Sequence, residues 1–231
     1  MHSRLILLRH AQSEWNALDR FAGWVDVGLT ADGREGATRA GTSLACNGIH
    51  PGAVHTSLLR RSIATAALSL DAAQRQWIPV RRSWRLNERH YGALQGRKRS
   101  EVVAEFGADQ TALWRRSYRS RPPMLSGRPM LDQRSDPRYA DVASVPVSES
   151  LCDVHDRVVP YYRKEITASL RSHGTVLVVS HGNTLRALIK HLDRIPDGEI
   201  DRVEVPIGVP LLYELGEDLM PAVAGGVFLG T

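Results

Sequence analysis

The sequence predicts an α/β fold, three layers α/β/α around a mostly parallel central sheet, with an inserted capping segment. Two short apolar runs, Leu5–Leu8 and Thr175–Val179, each end in a histidine followed by small and polar residues: Arg9-His10-Ala11-Gln12-Ser13 and Ser180-His181-Gly182-Asn183-Thr184. Between and after them, strand-like and helix-like segments alternate, which is the mark of an α/β chain. The middle, Arg85 to Val147, loses this alternation and turns polar and rich in Arg and Pro. If the two apolar runs are buried parallel strands, both imidazoles emerge at strand C-terminal ends, where open α/β sheets place their ligand crevice.

After the first strand, Thr30 reads as an N-cap for a helix over Ala31–Ala45, which Asn47-Gly48 stops. A brief strand, Val54–Thr56, a helix, Leu59–Leu70, and a strand, Ile78–Val80, follow. The middle segment carries short helical patches at Ser100–Phe106 and Ala108–Arg119 and a loop through Pro122-Pro123 and Asp136-Pro137. So long an insertion in a compact domain is expected to be a lid or binding segment. Ser148-Glu149-Ser150 then precedes an amphipathic helix, Leu151 to Leu170, despite Pro160. The helix Asn183–Leu192 follows the second histidine strand, Gly208–Glu214 and Val227–Leu229 are weaker strand candidates, and the Gly225-Gly226 region reads as a mobile tail. With no internal repeat or linker, residues 1–231 read as a single domain with a cap insertion at about 85–147.

The composition is that of an ordinary soluble globular protein: 231 residues, 42% hydrophobic and 24% charged, with a net charge of +5. The arginines are scattered rather than gathered into a basic stripe with aromatics, which argues against nucleic acid as a partner. No stretch approaches a membrane span and no signal segment is legible, so a cytoplasmic location is expected. Cys46 and Cys152 lack metal-ligand spacing and read as reduced packing residues.

The residues around the two histidines fit phosphoryl chemistry. An imidazole nucleophile must be neutral at the attacking nitrogen, and the charge of the phosphoryl group must be offset before attack. Arg9 beside His10 supplies a planar, always protonated fork for two phosphoryl oxygens. Arg61, at the start of the Leu59–Leu70 helix, is a second candidate, aided by the helix N-terminus. An isolated histidine after a strand is more often a packing residue than a nucleophile, and it is the pairing of His10 with His181 that changes the balance. His2, His50, His55, His173 and His191 have no such context, and spacing leaves His90 and His155 open. A proton donor to the leaving oxygen is also needed. Glu88, in Leu86-Asn87-Glu88-Arg89-His90-Tyr91-Gly92, and Glu14 are the competing candidates, although Glu88 could equally be an ion-pair partner of Arg89.

These segments, with Gly92-Ala93-Leu94-Gln95-Gly96, Trp114-Arg115-Arg116, Asp136-Pro137-Arg138-Tyr139, Glu149-Ser150-Leu151 and His181-Gly182-Asn183, closely resemble the 2,3-bisphosphoglycerate-requiring phosphoglycerate mutases of the histidine phosphatase superfamily. The resemblance spans Leu5 to about Leu229. It implies that His10 is phosphorylated, that Glu88 serves as acid and base, and that His181, Arg9 and Arg61 stabilise the transferring phosphoryl group. It further implies that Ser13, Asn16, Ala22, Gly23, Arg89, Tyr91, Arg99, Arg115, Arg116, Gly182 and Asn183 line the substrate site. The implied reaction interconverts 3-phosphoglycerate and 2-phosphoglycerate, primed by 2,3-bisphosphoglycerate and without a metal, in a dimer or tetramer.

The chain departs from that pattern at several positions. Ala11 stands where the family usually has Gly, which narrows backbone choice beside the nucleophile. Gln12 replaces a frequent Glu, Ala22 a Thr, Arg99 a Lys, Ile207 a Thr and Ser180 an Ala. A phosphatase of the same fold, a specialised mutase for a related three-carbon phospho- or phosphono-acid, and a non-catalytic phosphometabolite-binding module are the competing expectations.

Overall fold

The computed structural model describes residues 3–127 and 131–230; residues 1, 2, 128–130 and 231, and with them His2 and a piece of the expected cap, lie outside the described residues. Strands β1 (Ser3–Arg9), β2 (Ala53–Thr56), β3 (Val80–Arg82), β4 (Thr175–Ser180), β5 (Pro210–Leu215) and β6 (Val227–Phe228) form one sheet in the order β3-β2-β4-β1-β5-β6. The first four are mutually parallel, while β5 runs antiparallel to β1 and β6 antiparallel to β5. The expected mostly parallel α/β sheet is present.

Helices α1 (Glu14–Ala17), α2 (Ala31–Cys46), α3 (Arg60–Ala72), α4 (Arg99–Phe106), α5 (Ala108–Arg116), α6 (Leu151–Tyr161), α7 (Thr167–His173) and α8 (Gly182–Leu192) surround it. Strand side chains alternate between faces. Leu5, Leu7, Val176 and Val178 pack with Leu151, Val154 and Val158 of α6 and Leu185 and Leu188 of α8. Ile6, Leu8, Leu177 and Val179 pack on the opposite face with Ala40 and Leu44 of α2 and Ala66 and Leu70 of α3. Both faces of the central strands are therefore covered, which is why their sequences are continuous apolar runs rather than alternating ones. A smaller cluster of Phe21, Leu94, Val102 and Trp114 ties the 18–24 loop to α4 and α5.

Several boundaries differ from expectation for physical reasons. The strand expected at Ile78–Val80 is Val80–Arg82, because Ile78 instead turns into the core against α2 and α3. The helix expected over Ala108–Arg119 stops at Arg116, where the carbonyls of its last residues bond to the side chains of Arg89 and Arg186 instead of continuing the helix. The helix expected over Leu151–Leu170 runs to His173 but widens into a π turn at Tyr162–Ile166. Pro160 has no N–H and its ring crowds the preceding turn. The Tyr162 N–H just beyond it is shared between the carbonyls of Val158 and Val159, and the wider turn takes up the mismatch. The expected mobile C-terminal tail instead closes on the sheet, with Leu229 donating to the Pro210 carbonyl at 2.9 Å and Ser43 to the Gly230 carbonyl at 2.7 Å. Cys46 is exposed at the end of α2, so it is no packing residue, while Cys152 is half-buried and both thiols are free. Helix α1 was not legible as an element, although Ser13 and Asn16 form its capping box.

No helix among the described residues is long and apolar enough to cross a membrane. Helices α2 and α3 approach closely at Gly41, where an added Cβ would lie 2.1 Å from the Ser69 carbonyl oxygen. We expect Gly41→Ala to lower stability by roughly 1–3 kcal/mol in urea unfolding, the usual cost of overpacking. An unchanged midpoint would show that the two helices separate freely.

Candidate active site

Strand register fixes the centre of the site. Leu8 pairs with Val179 and Arg9 with Ser180, and the His10 N–H donates to the Ser180 carbonyl at 2.9 Å. Alternation then turns His10 and His181 to the face that carries α2 and α3. Their ring centroids lie 5.0 Å apart, edge to face. Nδ1 of His10 is 2.7 Å from the Ala11 carbonyl oxygen. A carbonyl only accepts, so Nδ1 carries the proton and Nε2 keeps its lone pair. Burial, then the charges of Arg61 and Arg9, hold the His10 pKa well below 6.5, so the ring is neutral at physiological pH. The Ala11 methyl brings no left-handed backbone with it, and the Ala11 N–H donates to Thr65 Oγ1.

Arginine side chains surround this pair without neutralising partners. Arg61, buried at the N-terminus of α3, donates through Nη1 to the Val25 carbonyl at 2.9 Å and through Nη2 to that of Gly23 at 2.8 Å. Arg9 donates to the Val205 carbonyl at 2.9 Å. Burial pushes the Arg61 pKa down to about 10 and lowers that of Arg9. Seven buried side-chain nitrogen or oxygen atoms among the described residues have no hydrogen-bond partner. Six belong here: Arg9 Nε, Arg61 Nε, His181 Nδ1, Arg186 Nε, and Nε and Nη1 of Arg89. Buried donors left unpaired are costly, and an anion satisfies them.

Glu88 enters from the loop that follows β3. Its Oε1 accepts from the backbone N–H groups of Arg89 (2.7 Å) and Asn183 (3.2 Å) and from Asn183 Nδ2 (3.1 Å), which ties that oxygen to its own loop and to the N-terminus of α8. The loop itself is clamped by a buried ion pair, Arg157 to Glu149 at 2.7 Å. Arg157 also donates to the carbonyls of Arg85, Asn87 and Glu88, and Glu149 accepts the His90 N–H. His90 is thereby a structural residue, its Nδ1 accepting from Gly92 N–H and its Nε2 facing Gln133. His55, bridging Tyr161 and Ser169, is likewise structural, and burial pushes it down to about 4. Glu14, the competing acid, lies outside the cavity, 3.9 Å from Arg60.

One cavity at the C-terminal ends of β1 and β4 gathers nearly all the expected residues. Arg9, His10, Arg61 and Glu88 line it with Ser13, Asn16, Ala22, Gly23, Tyr91, Arg99, Arg115, Arg116, Gly182 and Asn183. Ser13 and Asn16 hold each other, Ser13 Oγ donating to Asn16 Oδ1 at 2.8 Å. Gly23 has φ +53°, and a Cβ there would strike the Gln95 side chain, so the backbone can approach only as glycine. Two expected residues do not line the cavity. His181 sits behind His10 with Nε2 2.8 Å from Ser57 Oγ, its pKa held well below 6.5 by burial and Arg61. Arg89 lies behind Tyr91, its guanidinium 4.6 Å from the ring centroid. Burial pushes the Tyr91 hydroxyl up, but Arg89 and Asn183 outweigh it and lower the pKa.

Arg20, Phe21, Arg186, Glu204 and Val205 also line the cavity and were missed. Arg186 had a signal, since it falls three residues after Asn183 on the same face of α8. Glu204 had none, because it comes from a loop far along the chain. No group of three metal-ligating side chains occurs among the described residues.

Neutral imidazole, uncompensated guanidinium groups and a carboxylate at the strand ends make a site for phosphoryl groups. The chain belongs to the histidine phosphatase superfamily, branch 1, whose profile matches residues 5–209. Among its relatives, the 2,3-bisphosphoglycerate-dependent phosphoglycerate mutase of Mycobacterium tuberculosis is 52% identical over 225 residues, 97% of this chain and 90% of that protein. The Corynebacterium jeikeium protein of the same name is 50% identical over 228 residues, 99% of this chain and 90% of that one. Of solved structures, a mycobacterial glucosyl-3-phosphoglycerate phosphatase superposes with a TM-score of 0.74 at 23% identity, covering 99% of this chain and 97% of that one. The α-ribazole phosphatase of Shigella flexneri gives 0.70 at 21% identity, covering 99% and 98%. These last two show the fold.

The depressed histidines set a pH dependence. Unfolded, His10 and His181 titrate near 6.5, whereas the folded rings stay neutral well below it. As pH falls below 6.5, the unfolded chain takes up protons that the folded protein refuses, so stability falls. His55 and His191, each down to about 4, add to the same slope. Urea unfolding should show the loss, and His10→Asn should reduce the slope by about one proton's worth. A slope unchanged in the variant would show that His10 is protonated alike in both states.

Proposed function

We propose that this protein interconverts 3-phosphoglycerate and 2-phosphoglycerate through a phosphorylated His10. The observation that carries the reading is the concentration of partnerless buried nitrogen atoms on Arg9, Arg61, His181, Arg89 and Arg186 around and behind a neutral imidazole. A phosphoglycerate presents a phosphate with nearly two negative charges and a carboxylate, which this charge complements. The mutase name of relatives about half identical over nearly the whole chain supports the same reaction.

2,3-Bisphosphoglycerate supplies the first phosphoryl group. Nε2 of His10 accepts it, and Arg9, Arg61 and His181 offset the charge of its oxygens. When the free hydroxyl of a monophosphoglycerate attacks the phosphorus, Glu88 Oε2 takes the hydroxyl proton. The P–N bond breaks and its electron pair returns to Nε2. The cavity then holds a bisphosphorylated three-carbon acid, and Nε2 attacks the phosphorus on the other oxygen. As that P–O bond breaks, Glu88 returns its proton to the released oxygen. Tyr91, Asn183, Ser13, Asn16 and Gly182 position the acid, while Arg99, Arg115 and Arg116 from the 85–147 segment take its charged groups. Ala22 and Gly23 admit it by offering no bulk, and Arg89 acts through Tyr91. In this reading residues 85–147 are the cap of a single domain, and the enzyme works in the cytoplasm as a dimer or tetramer.

With 3-phosphoglycerate and catalytic 2,3-bisphosphoglycerate, 2-phosphoglycerate should form much faster than inorganic phosphate. Predominant phosphate release would make the protein a phosphatase instead. Brief incubation with 2,3-bisphosphoglycerate should add one acid-labile phosphoryl group by intact mass, and His10→Ala should abolish it. No adduct under fast quench would leave only a binding module. Glu88→Gln should lower kcat by about 10²–10⁴-fold while the His10 adduct still forms, the loss typical of a general acid or base.

A further inference from the structure

Among the described residues, only two acidic ones, Glu88 and Glu204, line a cavity that also carries seven arginines. They are placed differently. Glu88 is fixed by N–H donors and makes no ion pair with an arginine. Glu204 puts Oε1 2.8 Å from Nη2 of Arg116. Arg9, Arg20, Arg61, Arg115 and Arg186 make no ion pair among the described residues, and the carboxylate of Arg99's partner, Asp19, stands outside the cavity. Among the described residues, Glu204 is thus the one internal anion that occupies a cavity arginine from within the cavity.

Its backbone position is well determined. The next residue, Val205, is buried, and its carbonyl accepts from Arg9 Nη1. Gly208 N–H donates to the Arg9 carbonyl at 3.1 Å. The segment carrying Glu204 is therefore tied to the arginine beside His10. The carboxylate itself is open to solvent, its side chain being 70% exposed.

We propose that Glu204 is a specificity-determining residue, an internal stand-in for the ligand's anionic group on Arg116, so that an anion enters this corner only by displacing it. Resting on the reading of the cavity as a phosphoglycerate site, the proposal assigns that corner to the end of the ligand remote from His10. An exposed ion pair is cheap to displace, so Glu204 tempers affinity without blocking it. A ligand with a neutral hydroxyl at that end leaves the Glu204–Arg116 pair intact. Glu204 thereby narrows the preference for an acid over the corresponding alcohol.

Calorimetric binding of 3-phosphoglycerate and of glycerol 3-phosphate, which replaces the carboxylate with a hydroxymethyl group, tests this. Glu204→Gln should tighten 3-phosphoglycerate roughly two- to fivefold, the span expected for an exposed pair, and glycerol 3-phosphate by clearly less. In an Arg116→Met background the extra gain for the acid should vanish. Unchanged affinity for 3-phosphoglycerate, equal tightening of both ligands, or an undiminished gain in the Arg116→Met background would each overturn the proposal. Turnover assays on the same proteins separate the two readings. The expected affinity pattern without interconversion sinks the mutase and leaves this role of Glu204 standing, whereas interconversion with unaltered affinities sinks this role alone.

Discussion

Holding several guanidinium groups out of water without giving them carboxylates is the constraint on which this structure turns. A buried charge is expensive unless paired and hydrogen-bonded. Here Arg9, Arg61, Arg89 and Arg186 donate hydrogen bonds to main-chain carbonyls: those of Val205, of Val25 and Gly23, of Arg115, and of Arg115, Arg116 and Ile200. Carbonyl dipoles satisfy N–H groups but leave the net positive charge in place. Burial first, and then the charges of Arg61 and Arg9, keep His10 neutral, and the same positive charge suits an anion. The surface arginines do the reverse: Arg121 pairs with Asp153 and Arg134 with Asp132, so their charge is spent locally.

The same carbonyls organise the chain around the cavity. Arg61 fixes the 23–25 loop, Arg89 and Arg186 end α5 where Arg115 and Arg116 begin to face inward, and Arg9 anchors the segment before β5. Each guanidinium thus joins its own element or loop to a main-chain segment distant in sequence. The buried Glu149–Arg157 pair is different in kind. An ion pair of this sort contributes little net stability, yet it gathers the carbonyls of residues 85, 87 and 88 and the N–H of His90 onto one rigid unit. What it supplies is the position of Glu88.

How much of this could be read beforehand follows from the range of the interactions. The strands holding His10 and His181 were legible because burial on both faces writes a continuous apolar run, and helix caps such as Thr30 and Ser150 are local. The resemblance to phosphoglycerate mutases supplied most of the cavity. The departures from expectation arise where a distant side chain decides: α5 stops early because arginines from outside it take its carbonyls, and the C-terminal residues pack because Ser43 and Pro210 hold them. Arg89 was expected in the cavity and lies behind Tyr91, since adjacent residues in an irregular loop follow no period.

The location of His181 sharpens the chemical argument. It does not line the cavity, yet its Nδ1 is buried without a partner beside His10, and its Nε2 meets Ser57 Oγ. Ser57 Oγ already accepts the Leu59 N–H at 3.1 Å, so its own hydrogen is free to point at Nε2. With that hydrogen on the Nε2 lone pair, Nδ1 carries the single proton of the neutral ring and is a buried donor. The two histidines then present opposite characters from paired strand ends. His10 is locked by a carbonyl into offering a lone pair, and His181 is set by a hydroxyl to offer a proton. One strand register and two neighbouring oxygens thus give two copies of the same side chain opposite hydrogen-bonding characters.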